Sequence, residues 1–275
     1  MTEQLITYEL AGEVALVGLN RPKKRNAITP ELARQLRQAV FRGTEEAKAG
    51  VIFGHGDHFS AGFDLAVAAD WMKPGGSKPR RGGANRIHDL IARGRIPWFA
   101  ALRGACIGGG LELAAACHVR LADETTFFAL PEAQRGIFVG GGGSVRVQRL
   151  MGYARMADLM LTGRVLTAAE GERANLCQYV VPAGEALKRA KGLAACTAQN
   201  APLSNWAICN GLPRINDMSH EDGLFVEGLI GESVASPEGY ERAKAFIEHR
   251  ANKVDVPYKS GDDRSKPAAS DFEPE

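Results

Sequence analysis

Two acidic residues stand where a chain built for stability alone would rarely put them. Glu112 lies in IGGGLELAAAC (107–117), where every other residue from Leu111 to Cys117 is apolar, and Glu132 follows Pro131 in FFALPEAQRGI (127–137). An unpaired buried carboxylate costs several kcal/mol or shifts its pKa upward. Two carboxyl groups brought to one small substrate divide acid and base duties, and each such group typically contributes ~10²–10⁴ in rate. Each glutamate adjoins a glycine-rich or proline-marked turn. IGGGLEL and HFSAGFDL (58–65) both place small residues at a helix start, where the first amides point outward and the helix dipole adds positive potential. Two such amides aimed at one point make an oxyanion hole, each donor worth ~10²–10³ in rate, or about 2.7–4 kcal/mol. Structural alternatives exist for each acid: Glu132 would suit a helix N-terminus, and Glu112 a structural ion pair.

Elements that would position these groups follow from the patterning. Residues 5–10 and 13–19 read as a strand pair around the Ala11-Gly12 turn. Thr29 caps a helix opened by Pro30 and running to about Arg42, with Leu32, Leu36, Ala39 and Val40 on one face. VIFGHG (51–56) is a short buried strand, and a helix follows HFSAGFDL. The Pro/Gly-rich basic stretch 74–83 reads as a loop, followed by a helix at 84–94, a strand at 97–103, a helix at 109–117 and a strand at 119–123. This alternation implies a mainly parallel sheet flanked by helices. Beyond residue 144 the pattern is helical (144–151, 153–162, 167–174, 184–199, 219–235 and 237–249), with YVVP (179–182) as its strand. Residues 255–275, poor in large apolar side chains, are expected to be a disordered tail.

Composition excludes several classes of function. The 275 residues are 45% apolar and 24% charged, as in a soluble globular protein, and a net charge of +2 argues against nucleic acid or anionic membrane as a partner. No apolar run approaches the roughly 18 residues of a membrane span, and MTEQLITYEL lacks a signal-peptide pattern, so a cytoplasmic location is expected. Five cysteines without disulfide or zinc spacing suit packed, reduced thiols, and the apolar setting of Cys117 argues against a nucleophile. His55 and His58 lack further ligands nearby, so no metal is expected. The glycine runs lack the lysine and hydroxyl of a phosphate loop, and no dinucleotide fingerprint is present.

Taken together and in order, RPKKRNA, HFSAGFDL, GACIGGGLELAAAC, ALPEAQRGI, GGGGSVRVQRLMG and SPEGYERAKAFIEHR resemble the enoyl-CoA hydratase/isomerase, or crotonase, family over about residues 5–250. The resemblance implies an α/β crotonase-like (ClpP/crotonase) spiral of ββα units over 1–195 and a helical trimerisation region over 196–254, giving a homotrimer or a dimer of trimers. It implies an acyl-CoA thioester substrate, with coenzyme A arriving as part of that substrate and no tightly bound cofactor. By motif, the thioester oxygen would sit between the backbone amides of Phe63 and Gly109. Glu112 and Glu132 would be the catalytic acids, and the backbone of Gly140 would help hold the attacking water. Ala61, Asp64 and Leu65 would edge the adenine, and Lys24 and Arg25 would reach the nucleotide unless they are merely a solvated basic turn. Arg80 and Arg81 are weaker candidates.

Within the family, Glu112 together with glycine rather than aspartate at 140 fits a hydratase best. An enoyl-CoA isomerase using Glu132 as a proton shuttle and a non-catalytic acyl-CoA-binding paralogue are the alternatives. Val139 replaces a usual proline, Gly141 lengthens the glycine run to four, Ser144-Val145 replaces Thr-Gln, and His118 replaces aspartate. With the insertion-like stretch 70–83, including Trp71, these departures leave the acyl group open.

Overall fold

A computed structural model describes residues 3–73 and 87–248, without the side chains of Ala68, Trp71 and Met72. The loop expected at 74–83 with Arg80 and Arg81, the first residues of the helix expected from 84, and the tail 255–275 lie outside the described residues. Strands Ile6–Ala11 (β1) and Val14–Leu19 (β2) pair antiparallel around Gly12, whose φ of +58° suits the tight turn. Helix Pro30–Glu46 (α1) starts where Thr29 accepts the Leu32 N–H and carries the chain to Ala49–Gly54 (β3), parallel to β2. There follow Leu65–Met72 (α2), Ile87–Ala92 (α3), Trp98–Leu102 (β4), Ala105–Ile107 (β5), Gly109–Ala116 (α4), Val119–Asp123 (β6) and Phe127–Ala129 (β7). Then come Gly143–Met151 (α5), Tyr153–Thr162 (α6), Leu166–Thr167 (β8), Ala168–Arg173 (α7), Tyr179–Val181 (β9), Ala186–Ala198 (α8) and Pro202–Ile215 (α9).

The main sheet has the order β1-β2-β3-β4-β6-β9 and is parallel from β2 onward. Successive strand side chains point to opposite faces, and along β2 both faces are covered. Ala15, Val17 and Leu19 join a core with Leu32, Leu36 and Val40 of α1 and Leu111 and Leu113 of α4. Val14 and Leu16 face the other way, toward Ala186, Ala190, Ala194 and Ala198 on one stripe of α8. Burial on both faces is why EVALVGL shows no polar alternation.

A second sheet, β5-β7-β8, was not expected. Its strands are two or three residues long, too short for any period to show. Helix α1 outlasts its expected end by four residues, and α9, with Pro213 near its end, was not expected.

The chain divides into two compact units, Met1–Arg214 and Ile215–Glu275. The second contains His220–Val234 (α10), capped by Ser219, and Pro237–Ile247 (α11), capped by Ser236. Leu224, Phe225, Leu229, Phe246 and Ile247 are exposed on these two helices. Among the described residues no helix is long and apolar enough to cross a membrane.

Candidate active site

Three chain segments run parallel and end side by side. The Ser60 N–H donates to the Ala105 carbonyl at 2.8 Å and the Ile107 N–H to the Ser60 carbonyl at 3.0 Å, while β5 pairs with β7. The first segment runs into Gly62-Phe63, β5 into Gly108-Gly109, and β7 into Pro131-Glu132. Parallel segments in register release their following turns at one level, so residues distant in sequence meet at the carboxyl ends.

Each glycine of the 108–110 triplet serves a different contact. Gly108 has a φ of +53°, and a methyl group on it would lie 2.8 Å from Glu132 Oε1. Gly109 opens α4, so its N–H has no acceptor within the helix. A methyl on Gly109 would stand 3.3 Å from the Phe63 amide nitrogen, and one on Gly62 would stand 3.1 Å from the Gly109 nitrogen. The two amides therefore share one small nook. A methyl on Gly110 would meet the Ser60 carbonyl oxygen at 2.6 Å. Ser60 is itself held, its hydroxyl donating to the Asn26 carbonyl at 2.8 Å and accepting the Gly62 N–H at 3.1 Å.

Glu112 and Glu132 are each only 5% exposed, yet their surroundings differ. Glu112, in the first turn of α4, faces the glycine run. Its Oε1 accepts the N–H groups of Gly141 at 2.7 Å and Gly143 at 2.8 Å, and its Oε2 accepts the Gly140 N–H at a long 3.4 Å. Glu132 Oε2 has no hydrogen-bond partner. Burial raises the Glu132 pKa, and the nearby charge of Glu112 raises it further. Among the described residues no arginine or lysine forms an ion pair with either glutamate.

The loop carrying Lys24 and Arg25 is laced to this region by its main chain. The Arg25 carbonyl accepts the Ala61 N–H at 2.8 Å, the Ile28 N–H donates to the Gly62 carbonyl at 2.8 Å, and the Asp64 N–H to the Ile28 carbonyl at 2.9 Å. Lys24, Arg25 and Leu65 are exposed, whereas the Asp64 carboxylate is engaged, capping α2 through the Ala66 N–H and pairing with Arg21 at 2.6 Å. That hydrogen bond to Arg21 holds Asp64 below its ordinary value.

Sequence reasoning passed over the hub of this loop, Asn26. Fully buried at a φ of +53°, it accepts the Arg21 N–H and donates to the carbonyls of His55 and His58. The available signal was an asparagine among turn residues, since asparagine tolerates the left-handed region better than most. His58 Nδ1 accepts the Ala105 N–H and His55 bonds the Thr7 hydroxyl, so both histidines serve the framework. No described group of three or more His, Cys, Asp or Glu side chains is placed to hold a metal ion. Burial pushes the Cys117 thiol up to about 12.

Comparisons with known proteins identify the family. Residues 9–252 match the family model described as enoyl-CoA hydratase/isomerase. The enoyl-CoA hydratase EchA19 of Mycobacterium tuberculosis is 35% identical over 250 residues, covering 88% of this chain and 93% of that protein. The mevalonyl-coenzyme A hydratase sidH of Aspergillus fumigatus is 30% identical, covering 86% and 89%. Among solved structures, a Rhodopseudomonas palustris protein proposed to be an enoyl-CoA hydratase superposes with a TM-score of 0.81 at 43% identity, covering 90% of this chain and 96% of that one. An enoyl-CoA hydratase subunit from Geobacillus kaustophilus gives 0.83 at 27% identity, covering 91% and 98%. With an α/β crotonase fold, a match over nearly its whole described length and these relatives, the chain belongs to the enoyl-CoA hydratase/isomerase family.

Proposed function

We propose that this protein is an enoyl-CoA hydratase, adding water reversibly to a 2-enoyl-CoA to give a 3-hydroxyacyl-CoA. The observation that carries the mechanism is the asymmetry of the two carboxyl groups. Glu112 is met by main-chain N–H donors, an acceptor-only setting, whereas Glu132 is buried with one oxygen unpartnered and its pKa raised. Paired titratable groups in unlike environments take opposite roles. Glu112 acts as base, removing a proton from a water whose oxygen bonds to the β-carbon. The π pair of the carbon–carbon double bond shifts to the bond between the α-carbon and the carbonyl carbon, the carbonyl π pair moves onto oxygen, and the amides of Phe63 and Gly109 stabilise that enolate. Glu132 gives its proton to the α-carbon as the thioester carbonyl re-forms. The long Gly140 contact to Glu112 Oε2 leaves that amide able to share its hydrogen with the bound water.

Coenzyme A enters with the substrate. Lys24 and Arg25 meet its phosphates, and the backbone at Ala61, Asp64 and Leu65 edges the adenine. Isomerisation by Glu132 alone is the weaker reading, because it leaves the amide cradle of Glu112 without a task. A non-catalytic acyl-CoA-binding role has no use for two buried carboxyl groups. Exposed apolar side chains on α10 and α11 support a homotrimer or dimer of trimers, which sedimentation would test.

Glu112→Gln and Glu132→Gln should each cut crotonyl-CoA hydration by ~10²–10⁴, the usual share of a general acid or base, while binding of the CoA ester stays close to wild type. Undiminished hydration in both variants would refute the roles.

A further inference from the structure

The glycine run that cradles Glu112 has no side chains with which to fix itself, and glycine has the most backbone freedom to lose on ordering. A side chain from α5 reaches it. Arg146 Nη1 donates to the Gly141 carbonyl at 3.0 Å, and its Nη2 is hydrogen-bonded and ion-paired to Asp89 on α3. The N–H of the same Gly141 donates to Glu112 Oε1 at 2.7 Å. Guanidinium and carboxyl thus grip the two sides of one residue, one taking its carbonyl and the other its amide.

The planar fork of arginine suits this, holding two acceptors at a fixed angle. A third group closes the arrangement: the His88 ring lies against Gly141, where a methyl would come within 2.5 Å of its Cε1. Burial, then the charge of Arg146, pushes His88 down to about 4, so a neutral ring packs beside the guanidinium. His88 and Arg146 both meet Gly141, and Asp89 holds Arg146. Their common target is the residue whose amide orients Glu112.

We infer that Arg146, oriented by Asp89, is a positioning residue that sets the amides of Gly140, Gly141 and Gly143 on Glu112 and so aims the catalytic base. This rests on the hydratase reading of Glu112, and the test separates the two. Arg146→Met is made in the wild-type and Glu112→Gln backgrounds, and kcat and KM for crotonyl-CoA are measured. In the wild-type background kcat should fall by up to ~10²-fold, the cost of a misplacement of about 1 Å, with KM little changed and partial recovery in Arg146→Lys. In the Glu112→Gln background the same change should cost almost nothing further, because the group it positions is already disabled. A full, additive loss in the double variant, or unchanged kcat in the single one, overturns the role of Arg146. Wild-type turnover in Glu112→Gln alone overturns the assignment of the base instead. If Arg146→Met does not fold, Asp89→Asn is carried through the same cycle with the same expected and refuting outcomes.

Discussion

Replacing Gly109 by alanine tests the amide nook with a single methyl group. That methyl would stand 3.3 Å from the Phe63 amide nitrogen. An oxygen accepting from the same amide must lie about 2.7–3.2 Å from that nitrogen. Methyl and enolate oxygen would then compete for one space, and the oxygen would keep at most one good donor. Loss of one donor corresponds to ~10²–10³ in rate, or about 2.7–4 kcal/mol. Folding should suffer little. Gly109 is not among the glycines at positive φ, and the tight contact asks its neighbour to give by only a few tenths of an ångström. For a chain of this size each kcal/mol moves Tm by about 2–4 °C, so the melting curve should shift by no more than that.

The neighbouring substitution supplies the contrast. Gly110→Ala drives its methyl to 2.6 Å from the Ser60 carbonyl and 2.8 Å from Ser60 Cβ, against backbone that is itself pinned. It should lower Tm strongly, with activity falling through loss of folded protein. Crotonyl-CoA hydration kinetics and thermal melting of both variants measure the difference. A folded Gly109→Ala enzyme whose kcat/KM stays within about threefold of wild type would refute the placement of the oxyanion between the two amides.

The raised pKa of Glu132 has a consequence for stability with a definite sign. The native state holds this proton to higher pH than the unfolded chain does, so its contribution is fully present below the ordinary glutamate value and lost as pH rises through the raised one. Glu132→Gln, neutral throughout, should therefore melt higher than wild type above that window and lose the advantage below it; an equal difference in Tm at all pH values would contradict this. Lys24→Met and Arg25→Met should raise KM for CoA esters and weaken its salt dependence while leaving kcat nearly unchanged, and identical KM values in both would favour a merely solvated turn. Asp64→Ala removes the cap of α2 and the partner of Arg21, costing about 1 kcal/mol for the cap alone, read by denaturant melting.

Local chemistry wrote much of this protein directly into its sequence. Thr29-Pro30 marks the start of α1, the spacing of Leu32, Leu36 and Val40 marks its buried face, and two glutamates inside apolar or turn-rich runs mark the proposed catalytic pair. These signals come from neighbours along the chain, so they can be read without knowing what lies across from them. The small β5-β7-β8 sheet could not be read this way, since strands of two or three residues exist only through pairing with segments far along the chain. The same holds for Asn26, whose bonds to His55 and His58 span about thirty residues, and for the clamp of Arg146 and Asp89 on Gly141.

Tertiary structure also decided what distinguishes the two acids. Glu112 and Glu132 are the same residue type with equal burial, yet one receives the amides of the glycine run while the other keeps one oxygen without a partner. Desolvation and hydrogen bonding belong to the space around a group, and only the folded chain defines that space.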